Sequence, residues 1–120
     1  MNVAQVLRQV TQNLGEMEAA LCSISVAELA HGIYRANSPD RRDRRRAFLD
    51  DLKAAVPIYP VTDVTAELVG QIGAESLIRG VTIPIEDLLI GACALERGDG
   101  VATRNVRHFA LIPGLALISL

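Results

Sequence analysis

Two acidic residues stand in this chain where packing alone would not ask for an acid. Asp87 lies within Ile83-Pro84-Ile85-Glu86-Asp87-Leu88-Leu89-Ile90, next to three apolar residues, where an ionised carboxylate needs a partner or a metal. Glu28 lies in Ser25-Val26-Ala27-Glu28, just after an apolar run. Brought together, two such carboxylates make a divalent-metal site. Hard oxygens with no His or Cys pair beside them suit Mg²⁺ or Mn²⁺. An ion of that kind activates water and stabilises a phosphoryl transition state, the chemistry a metal-dependent nuclease requires. Each acid also has a structural explanation. In the first turn of a helix Asp87 favours the macrodipole by about 0.3–1 kcal/mol, and Ser25 with Glu28 three residues later has the form of a capping box.

The elements that must position these residues follow from period and punctuation. Ile85, Leu88, Leu89, Ala92, Cys93 and Leu95 recur at helical spacing and predict a buried helix, with Pro84 suited to its first turn and Gly98 to its stop. Val101-Ala102-Thr103 is a short strand that ends in the polar pair Arg104-Asn105, and Ile112-Pro113-Gly114 turns the chain into a last strand over 115–118. Upstream, Val3, Val6, Leu7 and Val10 predict a helix over 2–13 that breaks at Gly15. Residues 19–24 read as a buried strand. A helix then runs from Ser25 through Leu29, Ile33 and Tyr34 towards Asn37-Ser38-Pro39. Residues 40–55 combine Phe48, Leu49 and Leu52 on one face with an arginine-rich other face. Prolines bound a strand at 57–61, which favours an edge position. Thr62 or Asp63 caps a helix through Leu68, Ile72 and Leu77 that ends at Gly80. This order is that of an α/β sandwich with a mostly parallel sheet. In such sheets ligands bind at the carboxyl edge of the strands, where Glu28 is expected and which Asp87 can approach from its own helix start.

Length and composition narrow the function classes. The 120 residues suit one domain. A hydrophobic share of 50% excludes a disordered chain. A net charge of −2 argues against holding nucleic acid by whole-surface electrostatics, while a local basic patch stays open. The run Arg41-Arg42-Asp43-Arg44-Arg45-Arg46 is either a solvated face or a phosphate or partner contact. Cys22 and Cys93 lack C-x-x-C spacing and sit among apolar residues, so both read as reduced core thiols in a cytoplasmic protein. No apolar run is long enough to span a membrane, and no charged segment followed by an apolar one opens the chain.

Three segments carry a family resemblance: S-V-A-E-L-A-H-G (25–32), I-P-I-E-D-L-L-I-G-A-C-A-L-E-R-G (83–98) and V-A-T-R-N-V-R-H-F-A-L-I-P-G-L (101–115). From about residue 19 to the C-terminus the chain resembles PIN-domain ribonucleases, and more narrowly the VapC-type toxins of bacterial toxin–antitoxin modules. The resemblance implies a three-layer α/β/α sandwich with a mostly parallel central sheet. It also implies a Mg²⁺- or Mn²⁺-dependent endoribonuclease restrained by a cognate antitoxin, commonly as a homodimer. Glu28 and Asp87 match the family's acids and are the implied metal ligands and catalytic residues. Asn105 offers an amide oxygen as a further catalytic group, and Thr103, Arg104 and Arg107 are placed to meet RNA, although a salt bridge serves either arginine equally well. His108 defaults to a surface histidine. The helices at 25–36 and 40–55 are the expected antitoxin groove. One departure stands out: similar proteins open with a central strand bearing an L-D-T/S motif, and this chain starts after it. The expectation is a start codon assigned too late or a truncated chain. The alternative function is a catalytically inactive PIN-like module that binds an antitoxin-like partner or dimerises.

Overall fold

The structure, a computed structural model, describes residues 2–14 and 19–120. They divide into two compact units, Met1–Tyr59 and Pro60–Leu120. The first contains α1 (Val3–Leu14), β1 (Leu21–Cys22), α2 (Ser23–Tyr34), α3 (Pro39–Ala55) and β2 (Ile58–Tyr59). The break expected at Gly15 lies outside the described residues. β1 and β2 pair in parallel, with Leu21 opposite Ile58 and Cys22 opposite Tyr59. Parallel neighbours need a crossover, and α2 with α3 supplies it. The start of α3 follows from Asn37-Ser38-Pro39: the Ser38 hydroxyl accepts the Arg41 N–H at 3.2 Å and Pro39 occupies the first turn. Ile33 of α2 and Leu49 and Leu52 of α3 are buried where the two helices pack. Part of the arginine-rich face is used to hold that packing. Arg45 Nη1 donates to the Gly32 carbonyl at 2.6 Å, and Arg46 reaches the Tyr34 hydroxyl at 3.3 Å and Asp50 at 3.6 Å.

Both strands of this unit are shorter than expected, and the reason lies in the prolines. Pro57 and Pro60 flank β2 and confine it to two residues. β1 therefore has a ladder partner only as far as Cys22, and the next residues turn helical at Ser23. Cys22 is the N-cap of α2 and makes no side-chain cap bond. The capping box proposed for Ser25 and Glu28 does not form, because both already lie inside the helix.

The second unit contains α4 (Asp63–Ile78), α5 (Ile85–Arg97), β3 (Val101–Thr103), α6 (Val106–Phe109) and β4 (Leu117–Ser119). Thr62 caps α4 in a reciprocal capping box with Thr65. α4 and α5 form a hairpin whose facing sides, Val69 and Ile72 with Leu88 and Ala92, share a core with Ile83, Val101, Phe109 and Ile112. Two residues assigned to apolar stripes are exposed instead: Leu77 at 63% and Ile85 at 60%. The buried face of α4 runs Thr65, Val69, Ile72, Ser76, which turns Leu77 a residue's rotation away from it. Ile85 is the first residue of α5 and precedes the buried positions that begin at Leu88. Gly98 closes α5 at φ 72°, a left-handed C-cap that favours glycine.

β3 and β4 are parallel, with Val101 opposite Leu117, Ala102 opposite Ile118 and Thr103 opposite Ser119. The last strand starts later than 115–118, since the Leu115 N–H is still engaged by the Ile112 carbonyl in the preceding turn. The crossover between them holds α6, a helix just after the polar pair Arg104-Asn105 that the periodicity of the sequence does not predict. Among the described residues no helix is long and apolar enough to cross a membrane.

Candidate active site

The second unit brings together the chemistry-bearing residues of α5, the end of β3 and α6. Asp87 sits in the first turn of α5, where the helix leaves N–H groups without helical acceptors and favours negative charge. Leu88 is buried beside it and Glu86 is exposed. The partner that an acid in this setting needs is His108: its Nδ1 lies 2.8 Å from Asp87 Oδ2. The side chains are 33% and 19% exposed for His108 and Asp87, so the pair is half withdrawn from water. An ionised carboxylate can only accept, hence Nδ1 carries the proton and donates. A charge-assisted bond at this depth contributes roughly 1–2 kcal/mol after allowance for solvent screening. His108 was expected as an ordinary surface histidine. Its half-burial and its bond to Asp87 correct that expectation.

The position of His108 is set by its neighbours in α6. Phe109 is 6% exposed and Ile112 is 3% exposed. Both belong to the core that α5 shares, and they fix the short helix against it. The Ala110 N–H donates to the Val106 carbonyl at 2.8 Å and the Leu111 N–H to the His108 carbonyl at 3.1 Å. With Phe109 turned inward, the preceding residue faces the start of α5. Buried Gly91, one turn beyond Asp87, lets this arrangement approach closely: a Cβ there would lie 2.5 Å from Ile112 Cδ1.

Between β3 and α6 the chain makes a tight polar turn. The Thr103 hydroxyl accepts the Asn105 N–H at 3.1 Å and lies 3.3 Å from the Asn105 carbonyl, to which it donates. Its one proton and one of its two acceptor positions are thus used inside the turn, where they shape the backbone. Asn105 is exposed and heads α6 without a side-chain capping bond, so its amide faces solvent beside the strand end. Arg104 and Arg107 are exposed on either side of it.

Glu28 belongs to the first unit, where it lies within α2 and is exposed. Among the described residues no group of three or more His, Cys, Asp or Glu side chains gathers at metal-binding spacing. Beside the end of β3 and α6 the second unit presents the Asp87 carboxylate, bonded to His108 on one oxygen. A hard carboxylate oxygen of this kind fits Mg²⁺ or Mn²⁺, because Mg²⁺ keeps several waters and takes only one or two carboxylates from a protein.

Comparison with known proteins places these features in a family. The sequence matches the PIN domain family over residues 5–115. It is 28% identical over 102 residues to Ribonuclease VapC1 of Rickettsia felis, an alignment that takes in 85% of this chain and 76% of that protein. It is 29% identical over 105 residues to the tRNA(fMet)-specific endonuclease VapC of Salmonella typhimurium, covering 88% of this chain and 77% of the relative. Among solved structures, VapBC-5 of the VapBC family of toxin–antitoxin systems from Mycobacterium tuberculosis superposes with a TM-score of 0.76 at 28% identity, over 84% of this chain and 81% of the other.

Proposed function

This chain belongs to the PIN domain family, and from that premise we propose that it is an endoribonuclease of the VapC type, a toxin that hydrolyses RNA phosphodiester bonds and is held in check by a cognate antitoxin. The observation that carries the reading is the half-buried Asp87 carboxylate at the α5 start, held on one oxygen by His108. Relatives named as ribonucleases and a similar fold found in a toxin–antitoxin system support it. Asp87 is the proposed catalytic acid and ligand for Mg²⁺ or Mn²⁺. Glu28 is proposed as a second acid of the reaction on the resemblance of its motif. The ion, when bound, supplies positive charge to the phosphoryl group and activates water. The protein's own residues do the rest. Asp87 holds negative charge at a fixed place, Asn105 presents an amide at the end of β3, and Arg104 and Arg107 are proposed to meet RNA phosphates, for which guanidinium is well shaped. Action in the cytoplasm and self-association as a dimer belong to the same reading.

Incubating the purified chain with tRNA and other structured RNA, with Mg²⁺ or Mn²⁺, tests this. Cleavage is expected, and Asp87→Asn should lower its rate on the order of 10²–10³-fold, the scale of losing a main electrostatic group. An Asp87→Asn protein that cuts as fast as the parent would sink the assignment. The second reading, an inactive module that works by binding an antitoxin-like partner, draws on the similar fold found in a toxin–antitoxin system. It predicts stable binding of such a partner together with no cation-dependent cleavage by the unaltered chain.

A further inference from the structure

We propose that His108 is a positioning residue for Asp87: it holds the carboxylate in one orientation, with the second oxygen presented outward, before any cation or RNA arrives. This rests on the reading of Asp87 given above. An aspartate carboxylate has a broad torsional well about its last bond, so an Asp87 left to itself would turn its oxygens through a range of directions. The Nδ1 contact at 2.8 Å on Oδ2 removes that freedom and designates Oδ1 as the free ligand. The holding group is itself held, because α6 is anchored through buried Phe109 and followed by buried Ile112. Rigidity therefore passes from the core to Phe109, from α6 to His108, and from His108 to the carboxylate. Among the described residues Asp87 has no other side-chain partner, so nothing else there performs this task. The role is independent of the charge on the imidazole, since Nδ1–H donates in the neutral tautomer and in the imidazolium alike. Hydrogen-bonded partners of metal ligands generally act in this way, and their loss costs about 10–100-fold in metal affinity or activity.

The test compares the full chain with His108→Ala, His108→Asn and Asp87→Asn. The measurements are Mn²⁺ affinity by calorimetry in the absence of RNA, kcat and KM for RNA cleavage, and the thermal midpoint of each variant. Asparagine places an N–H at the same branch position as Nδ1 and can restore the bond. The expected result is a loss of about 10–100-fold in Mn²⁺ affinity and in kcat for His108→Ala, with KM for RNA nearly unchanged and most of the loss recovered in His108→Asn. Asp87→Asn should lose both. If Asp87→Asn loses both while His108→Ala binds Mn²⁺ and cleaves like the parent, the positioning role is wrong and the reading of Asp87 stands. If Asp87→Asn retains both, the reading of Asp87 itself is wrong. Equal losses in alanine and asparagine variants, accompanied by an equal drop in thermal midpoint, would make His108 a folding residue and overturn the proposal.

Discussion

Gly73→Ala and Gly91→Ala are the same chemical change in two neighbouring helices, and the structure assigns them opposite signs. Replacing glycine by alanine inside a helix is worth about 1 kcal/mol, because alanine has less backbone freedom to lose. In α4 the new methyl at position 73 meets only Leu88 Cδ1, at 3.5 Å, an ordinary contact. The gain should therefore be kept, and Gly73→Ala should stabilise by about 1 kcal/mol. In α5 the methyl at position 91 falls 2.5 Å from Ile112 Cδ1 and 3.4 Å from Leu115 Cδ2. Ile112 is only 3% exposed, so its end must shift within the packed core to admit the methyl. Overpacking of this kind costs about 1–3 kcal/mol, which cancels the helix gain and leaves a net loss of up to about 2 kcal/mol. With no tryptophan in the chain, the suitable assay is urea unfolding followed by the helical circular dichroism band. A shift in midpoint at constant slope reports stability alone. The reasoning is refuted if Gly91→Ala proves as stable as Gly73→Ala, for that would mean Ile112 repacks freely and the close approach of α5 to the segment after α6 holds nothing in place. Since Asp87 stands one turn before Gly91, the same substitution should also loosen the Asp87–His108 bond and weaken Mn²⁺ binding, an effect absent from Gly73→Ala.

Other substitutions probe the caps that begin the helices. Thr65 is fully buried, donates to Glu96 Oε2 at 2.5 Å and accepts the Thr62 N–H at 3.2 Å. Thr65→Val keeps the shape and removes both bonds, so a loss of about 1–2 kcal/mol is expected in thermal unfolding. Glu96→Gln, which still offers an oxygen acceptor, should cost less, and equal losses would refute the pairing. Ser38→Ala deletes the cap of α3 and should cost about 1 kcal/mol, measured by the same melt. An unchanged midpoint would show that Pro39 alone starts that helix.

The elements that declared themselves in the sequence are those whose signals are local. Asn37-Ser38-Pro39, Thr62 and Gly98 each mark a helix boundary within a few residues, and the structure uses all three. The stripe from Leu88 to Cys93 forecast a buried face for the same reason. Asp87 was visible as an anomaly, a carboxylate among apolar neighbours, and its need for a partner followed from desolvation. The capping box at Ser25 misled because the end of β1 is not decided locally. Pro57 and Pro60, far along the chain, limit β2 to two residues, and that limit is transmitted to β1 through the parallel pairing.

His108 was hidden for a related reason. α6 spans only Val106–Phe109, too short to display a period and too short to persist without tertiary support, since the first helical turn costs more than it returns. It exists because Phe109 and Ile112 are buried against α5, and that burial depends on a glycine at position 91. The direction in which His108 faces is therefore a property of the packed hairpin and crossover, with nothing in the residues around it to announce it. The same dependence explains why the acid could be found from its neighbours and its partner could not. An acid in an apolar setting violates a rule that can be checked residue by residue, whereas a histidine after an arginine violates none. Its significance arises only when the core turns Phe109 inward and leaves Nδ1 within bonding distance of Asp87.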